Sequence, residues 1–490
     1  MNRLNAALAP APARTVRVLQ YGEGNFLRAF VDYMLDIANE RLGLDLGVMM
    51  VKPIPMGSLD ALRQQDCRYT VVLRGLVDGA PSTSTRLVTS VADAVDAYDE
   101  YEKYAACARL DSLRFVVSNT TEAGIALDES DRFEFCPPKS YPGKLCKLLY
   151  ERAKAFGYAA DKGLVILPVE LIDDNGLQLK KCVKALARLW KLGERFDAWL
   201  DEACVFASTL VDRIVTGYPA DEAPEIWKGL GYEDRLVVTG EPFALWVIES
   251  DRDISGELPL PDCGLPVIFT DNQKPFKQRK VRILNGAHTA FVPAAFLSGY
   301  DTVLEAMGDP TIKRFMRDAL FEEVIPTLSL PREDLAAFAD AVTARFENPY
   351  IKHQLLSICL NSVSKWRARC LPSLTGYVAL KGALPPRLTF SLAALMALYS
   401  GGTPEGGALV CHRDGAPYKI IDDEPVLRFF AEESGRGAAE FARAFLSDPR
   451  FFGEDLTKIP GLADAVAKDL SAIREKGMRG ALAAAFGGGR

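Results

Sequence analysis

The sequence predicts an α/β protein in which a parallel-sheet domain is followed by a second, mostly α-helical domain. The chain has 490 residues, more than one hydrophobic core usually holds, so two domains are expected. Its first half alternates short β-rich apolar runs with helical patterns, which is typical of parallel strands joined by crossover helices. Beyond about residue 268, long helical patterns dominate instead.

The apolar runs of the first half predict strands at residues 16–20, 48–51, 69–73, 115–117 and 164–169, with a helix over about 25–41. In the second half, helical periodicity covers residues 275–298, 310–325, 332–346, 350–366, 386–399, 424–447 and 461–485. A link rich in Pro, Gly and Asp precedes the first of these helices. We therefore expect domains at 1–272 and 273–490, with the active site in the cleft between them.

Composition argues against several classes of protein. The net charge is −7 and the pI is about 5.4, so the basic surface of a nucleic-acid-binding protein is not expected. The ten cysteines form no CxxC pair, which is typical of reduced cytosolic thiols. The sequence shows neither a signal-peptide pattern nor an apolar run long enough to cross a membrane. These features predict a cytoplasmic protein without a membrane partner, and they leave its oligomeric state open.

A GxGxF turn, with Gly22, Gly24 and Phe26, follows the first predicted strand and opens the first predicted helix. Glycines let the backbone turn tightly and approach a pyrophosphate, whose charge is met by the free N–H groups and dipole of the helix start. This context predicts a Rossmann-like dinucleotide site with Gly22, Gly24, Asn25 and Phe26 as cofactor residues. Leu27 stands where a third glycine would complete GxGxxG, so a plain strand-to-helix turn is the alternative.

Two further positions bear on the cofactor. Lys52 follows the second strand, where a carboxylate would bind the ribose 2′-hydroxyl of NAD and a lysine could favour the 2′-phosphate of NADP, so NADP stays open. The loop at residues 118–122 follows the strand at 115–117. Asn119 and Thr120 in this loop are predicted to line the nicotinamide pocket, and capping of the next element is the alternative.

Oxidation of a secondary alcohol needs a proton acceptor, dipoles that hold the oxygen and an aligned hydride carrier. A zinc site is not expected, because none of the three histidines has a cysteine pair nearby. The first helix after the domain boundary places Lys280, Asn285 and His288 within an arc of about 140°. A lysine can serve as the base if it is desolvated or near other cations. A solvated helix face is the alternative.

Two other patterns bear on the same chemistry. Asn175, in a turn after the strand at 164–169, could donate its amide to a substrate oxygen or could simply make the turn. A YxxxK pair, Tyr377 and Lys381, lies far into the helical half, where we interpret it as a chance match.

These residues together resemble the mannitol dehydrogenase family of polyol-specific long-chain dehydrogenases and reductases, which shares the GxGxF turn and the Lys, Asn and His spacing. The resemblance spans about residues 16–480 and is carried by YGEGNFLRAFVDYM, SNTTEAGI, LPVELIDDNG, STLVDRIVTGYP, KVRILNGAHTAFVPAAFLSGYDTVLEAMGD and RFENPYIKHQLLSICLNSVSK. It implies that a hydride passes between the NAD cofactor and C3 of the sugar acid, which interconverts D-tagaturonate and D-altronate. It also implies that Lys280 is the general acid and base, that Asn175 and Asn285 polarise the carbonyl, and that His288 orients the substrate.

A sugar acid needs a cationic partner for its carboxylate, and the predicted helix at 350–366, with the residues that follow it, is rich in basic side chains. We expect Lys365 and His353 to bind the substrate there, although most basic residues on such a helix are solvated. The same chemistry on D-fructuronate or on a mannitol-type polyol is the alternative function. A nucleotide-binding sensor without catalysis is a more remote one.

Overall fold

The central sheet of the first unit, Met1–Gln273, has six parallel strands. The computed structural model describes residues 1–121 and 123–487. Along the chain the strands of this sheet are β1 (Val16–Tyr21), β2 (Gly47–Lys52), β3 (Val91–Asp96), β4 (Phe115–Ser118), β5 (Val165–Pro168) and β6 (Val205–Phe206). Their order across the sheet is β3-β2-β1-β4-β5-β6, and every pair is parallel. This is the doubly wound order of dinucleotide-binding folds.

Both faces of this sheet are buried, as its near-continuous apolar strands require. Val18, Val48 and Val117 pack into one hydrophobic cluster, whereas the alternate residues Leu19 and Val116 pack into another on the opposite face. The α- and π-helical segments of the unit are Asn25–Leu27, Arg28–Asp32, Tyr33–Leu42, Asp60–Gln64, Tyr101–Ala106, Tyr141–Ala155, Asn175–Leu189, Glu194–Glu202 and Ala223–Leu230.

The predicted strand at 69–73 exists but does not join the parallel sheet. It begins Tyr69–Val77, which pairs antiparallel with Ala80–Val88. The connecting residues Asp78 and Gly79 both have positive φ, the geometry of the two-residue turn that favours hairpins. The hairpin belongs to a four-stranded sheet with Val238–Gly240 and Val215–Gly217, and a three-stranded sheet contains Ser208–Asp212, Leu245–Glu249 and Val267–Thr270.

The second unit, Lys274–Arg490, is mostly helical. Its α- and π-helical segments are Lys274–Arg279, Lys280–Asn285, Gly286–Leu297, Val303–Met307, Pro310–Asp318, Ala319–Val324, Arg332–Phe346, Leu355–Ile358, Ser362–Arg369, Leu371–Lys381, Pro386–Tyr399, Glu424–Glu433, Ala438–Ser447, Pro449–Phe452 and Leu462–Phe486. The fold class predicted from the sequence, a Rossmann-like parallel-sheet domain followed by a mostly helical one, is confirmed.

Three predictions for the second unit were wrong in detail. The helix expected at 350–366 is two shorter helices, Leu355–Ile358 and Ser362–Arg369, because Asn361 between them has a φ of 52°. The helix expected at 424–447 is also two, separated at residues 434–437. A three-stranded sheet, Thr403–Glu405, Ala408–Arg413 and Ala416–Ile420, was not predicted.

Within residues 1–121 and 123–487, no helix is both long and apolar enough to span a bilayer.

Candidate active site

The glycine turn lies at the carboxyl end of β1, where open α/β sheets bind ligands. Gly22 has a φ of 119°, a conformation that side chains rarely adopt. Gly24 precedes the first helix without a side-chain cap, and a Cβ built on it would meet no atom within 4 Å. The turn is therefore open beside Gly24, and with the uncapped start of the helix it forms a cradle that fits a cofactor pyrophosphate.

The side chains of the next two predicted cofactor residues are engaged within the protein. Asn25 accepts a 2.6 Å hydrogen bond from the Arg28 guanidinium. The ring of Phe26 stacks on that of Phe30, with centroids 5.0 Å apart. Asn25 and Phe26 can thus serve a cofactor through their backbone N–H groups, while their side chains brace the turn.

The loop after β4 lies beside the glycine turn, since a Cβ on Gly22 would be 3.5 Å from the Asn119 carbonyl oxygen. The Thr120 backbone N–H and hydroxyl both donate to Glu170, at 2.9 and 3.0 Å, and the Ser118 hydroxyl donates to it at 3.2 Å. Glu170 is almost fully buried just beyond β5, and burial raises the pKa of its carboxyl. Glu122, the last position of the predicted loop, lies outside the described residues.

Glu170 is the main residue of this region that the sequence reasoning missed. Its carboxylate fixes the backbone of the loop on which Asn119 and Thr120 were predicted to contact the cofactor. The available signal was its position, because it lies two residues after the apolar strand β5 and so stands at the same sheet edge as the glycine turn.

Asn175 begins the helix Asn175–Leu189 and is fully buried. Its amide nitrogen donates to the backbone oxygens of Pro168, Glu170 and Thr209, at 3.0, 3.0 and 3.1 Å. Its amide oxygen accepts from the N–H groups of Gly176 and Thr209. An amide has two N–H groups, so none is left for a substrate oxygen. In this structure Asn175 braces the backbone beyond β5, and we expect this role rather than the predicted catalytic one.

Lys52, at the end of β2, is also engaged. Its side chain is buried and ion-pairs with Asp96 at 2.8 Å. The ammonium also donates to the carbonyl oxygens of Ile54 and Met56. Its three N–H groups therefore have three partners within the protein.

In the second unit, Lys280 and Asn285 are the two ends of the π-helical segment Lys280–Asn285. Such a segment has hydrogen bonds between residues five apart, so its ends lie about one turn apart on a common face, closer than an α-helix would bring them. Both side chains are half-buried. Arg282, a sequence neighbour of Lys280, is buried and donates to the hydroxyls of Ser373 and Thr327.

His288 follows in the next helix, Gly286–Leu297. Its ring lies 4.0 Å from that of Phe346 and 5.3 Å from that of His353, centroid to centroid. Burial lowers the pKa of His288 well below its usual value, and the charges of His353, Arg345 and Arg369 lower it further. The imidazole is therefore neutral at pH 7, and its buried Nε2 has no hydrogen-bond partner among residues 1–121 and 123–487.

Basic side chains gather around this imidazole. The Arg369 guanidinium donates to the Thr289 hydroxyl at 3.3 Å, and this hydroxyl donates to the Asn285 carbonyl oxygen at 2.9 Å. The Lys365 ammonium donates to the Ile358 carbonyl oxygen at 3.0 Å. Burial and the neighbouring charge of Arg369 lower the pKa of Lys365. Burial lowers the pKa of His353 too, so its imidazole is neutral at pH 7. We call Arg345, Lys365 and Arg369 the cationic cluster; Lys365 belongs to it, and His353, the other predicted substrate-binding residue, lies beside it.

Two other expectations concern metals and the YxxxK pair. In the described part of the chain, no three His, Cys, Asp or Glu side chains are grouped so that they could hold a metal ion. Lys381 is exposed and ends the helix Leu371–Lys381, which also carries the half-buried Tyr377.

Comparison with known proteins relates these features to one family. A family model described as the mannitol dehydrogenase Rossmann domain matches residues 16–261, and one described as the mannitol dehydrogenase C-terminal domain matches residues 272–474. The chain belongs to the mannitol dehydrogenase family. It is accordingly an oxidoreductase acting on CH–OH groups, as the sequence predicted.

Three proteins, compared by sequence or by structure, are similar to this chain along nearly its whole length. Altronate oxidoreductase of Escherichia coli O139:H28 (strain E24377A / ETEC) is 47% identical over 489 residues, covering 98% of this chain and 99% of the relative. The structure of Pseudomonas fluorescens mannitol 2-dehydrogenase in ternary complex with NAD and D-mannitol has a TM-score of 0.67 and 25% identity, covering 98% of each chain. Substrate-free D-sorbitol dehydrogenase shares the fold, with a TM-score of 0.78 at 22% identity, covering 98% of this chain and 100% of that one.

Proposed function

We propose that this member of the mannitol dehydrogenase family uses NAD(H) to interconvert D-tagaturonate and D-altronate. The observation that carries the substrate class is the cationic cluster around the neutral His288. A neutral polyol gives no reason for several cations to gather beside its binding site, whereas a sugar acid brings a carboxylate that they would stabilise. The similarity to altronate oxidoreductase supports the same class.

The proposed reaction assigns a task to each group. The glycine turn, with Gly22 and Gly24, would hold NAD(H), which would supply the hydride for the ketone carbon of the substrate. The Lys280 ammonium delivers a proton to the ketone oxygen as the C–H bond forms, and the reverse reaction returns this proton to Lys280. The Asn285 amide donates to the same oxygen and stabilises the developing negative charge.

The remaining contacts orient the substrate. His288 is neutral, and in the described part of the chain its Nε2 has no hydrogen-bond partner, so it can form a hydrogen bond with a substrate hydroxyl without bringing a second charge. Arg369 and Lys365, with His353, bind the carboxylate at the far end. We further propose domains at 1–272 and 273–490, the first holding the cofactor and the second the substrate.

Replacement of Lys280 tests the assignment of the base. Lys280→Met should lower kcat for D-tagaturonate by about 10²- to 10⁴-fold, because the proton donor is lost. NADH binding, followed by its fluorescence, should change less than about threefold, since the cofactor residues lie in the first unit. Lys381→Met is the matched control, because Lys381 is the exposed lysine of the YxxxK pair. Full activity in Lys280→Met, or an equal loss in the control, would contradict the assignment.

A further inference from the structure

The Lys52–Asp96 ion pair joins the carboxyl ends of the neighbouring strands β2 and β3. Burial alone would raise the pKa of the Asp96 carboxyl, but hydrogen bonds from Lys52 and from the N–H groups of Tyr98 and Asp99 lower it, so the group is ionised. Lys52 is nearly inaccessible, and Asp96 is buried as well. The positive charge expected from the sequence at the end of β2 is therefore neutralised inside the protein.

This pair lies beside the glycine turn. The Gly22 N–H donates to the Val51 carbonyl oxygen at 3.0 Å, which fixes the turn against the end of β2. Partial burial raises the pKa of Glu23, and the opposing influence of Lys52 on that carboxyl shows that the two side chains are close. In doubly wound folds the ribose of the adenosine lies at the end of the second strand. The pair thus stands where the 2′ position of that ribose would be.

The cations near this position are already engaged within the protein. Asp96 and Glu23 are both near Lys52. Arg28 also acts on Glu23, but its guanidinium is buried and donates to the Leu236 carbonyl oxygen and the Asn25 side chain. Arg63, on the helix that follows β2, is paired with Glu100, and the Glu100 carboxylate accepts a 3.0 Å hydrogen bond from the Asp96 N–H. A 2′-phosphate, which carries up to two negative charges, would meet carboxylates here and no uncompensated cation from these residues. A 2′-hydroxyl carries no such penalty.

We propose that Asp96, through its ion pair with Lys52, makes the cofactor site reject NADP(H) and select NAD(H). Asp96, at the end of β3, thus determines the cofactor specificity, because its carboxylate neutralises the charge of Lys52 at the end of β2. This inference rests on the proposed function only in that a dinucleotide binds at the glycine turn. It does not depend on the sugar substrate.

Binding of NADH and NADPH, measured by nucleotide fluorescence on the full-length protein without substrate, tests the proposal. In Asp96→Asn the Lys52 charge is no longer compensated, so NADPH affinity should rise at least about tenfold relative to NADH. The double variant Lys52→Met with Asp96→Asn should lose this gain. Asp93→Asn is the matched control, because Asp93 lies on the same strand and pairs with the exposed Lys103 at 2.8 Å; its NADH-to-NADPH ratio should equal that of the wild type.

A measurement on the wild type keeps the test valid if a buried variant does not fold. ADP-ribose should displace NADH at a concentration at least about tenfold lower than 2′-phospho-ADP-ribose. Equal displacement, or an unchanged ratio in a folded Asp96→Asn variant, would overturn the proposal. Inactivity on D-tagaturonate with tight, NAD-selective binding would instead count against the proposed substrate alone.

Discussion

At the scale of single residues, the two asparagines that sequence patterns placed in one role have different environments. Both the nitrogen and the oxygen of the Asn175 amide are hydrogen-bonded to backbone groups. The Asn285 side chain is instead half-buried at the end of a π-helical segment. Residue type and spacing could identify both positions. The sequence could not show which amide was already occupied, because its partners Pro168 and Thr209 lie elsewhere in the chain.

Replacement by alanine should therefore lower stability at Asn175 and catalytic rate at Asn285. Asn175→Ala should lower the free energy of unfolding by about 2–3 kcal/mol, since buried backbone groups lose their partners, and leave kcat of the folded protein near that of the wild type. Asn285→Ala should lower kcat by about 10²-fold and change stability by less than about 0.5 kcal/mol. Urea denaturation and steady-state rates separate the two effects. A stable but inactive Asn175→Ala variant would return that residue to the catalytic set.

The neutral imidazole of His288 predicts a pH dependence of stability. Its pKa is lowered in the folded protein, so below the ordinary histidine pKa of about 6.5 the unfolded chain takes up a proton and the folded state does not. Stability from this group is present above about pH 6.5 and is lost as the pH falls below it. Between pH 7.5 and 5.5, the wild type should lose about 1 kcal/mol more unfolding free energy than His288→Phe.

The control for this experiment is His412→Phe, which replaces an exposed histidine on the strand Ala408–Arg413. It should retain the full pH dependence of the wild type in urea denaturation. If His288→Phe shows the same loss as the wild type, His288 is not the neutral group that we describe.

At the scale of secondary structure, the sequence predicted best those helices and strands whose apolar spacing is regular along one continuous stretch of chain. The helices at 332–346 and 386–399 were predicted with their observed bounds, and the turn at Gly22 follows a strand as its composition indicated. Two kinds of detail were not predicted. Apolar spacing does not distinguish the π-helical segment Lys280–Asn285 from an α-helix, and the break at Asn361 falls inside a helical pattern.

The glycine turn gives a prediction at this scale. Gly24 has an ordinary φ of −69° and free space around its Cβ position. Gly24→Val should therefore fold with near wild-type stability but weaken NADH binding by at least about tenfold, because the side chain would occupy the pyrophosphate cradle. Fluorescence titration with NADH measures the effect.

Gly229→Val is the matched control for the turn. Its Cβ position is equally open, but it lies in the helix Ala223–Leu230, which contains none of the predicted cofactor residues. It should bind NADH as the wild type does. Tight NADH binding by Gly24→Val would mean that the turn is only a connection between strand and helix.

At the scale of the whole molecule, alternation of strands and helices was enough to predict the parallel sheet, because each strand is buried on both faces and reads as an apolar run. The hairpin Tyr69–Val77 with Ala80–Val88 was missed although its Asp-Gly turn is a hairpin signal. The second of these strands is largely exposed and polar, so it lacks the apolar run by which strands were sought. The cationic cluster was predicted only in part, since Arg345 joins it from a different helix, Arg332–Phe346, through packing.

The central claim is that this enzyme reduces a keto sugar acid and recognises its carboxylate. The most direct test is NADH oxidation at 340 nm with D-tagaturonate, D-fructuronate, D-fructose and D-tagatose, the last being the uncharged counterpart of D-tagaturonate. We predict a kcat/KM for D-tagaturonate at least about 10²-fold above that for D-tagatose, because Lys365 and Arg369 then bind its carboxylate, and little activity on the other two. Equal rates with the charged and uncharged sugars, or a preference for D-fructose, would contradict the account.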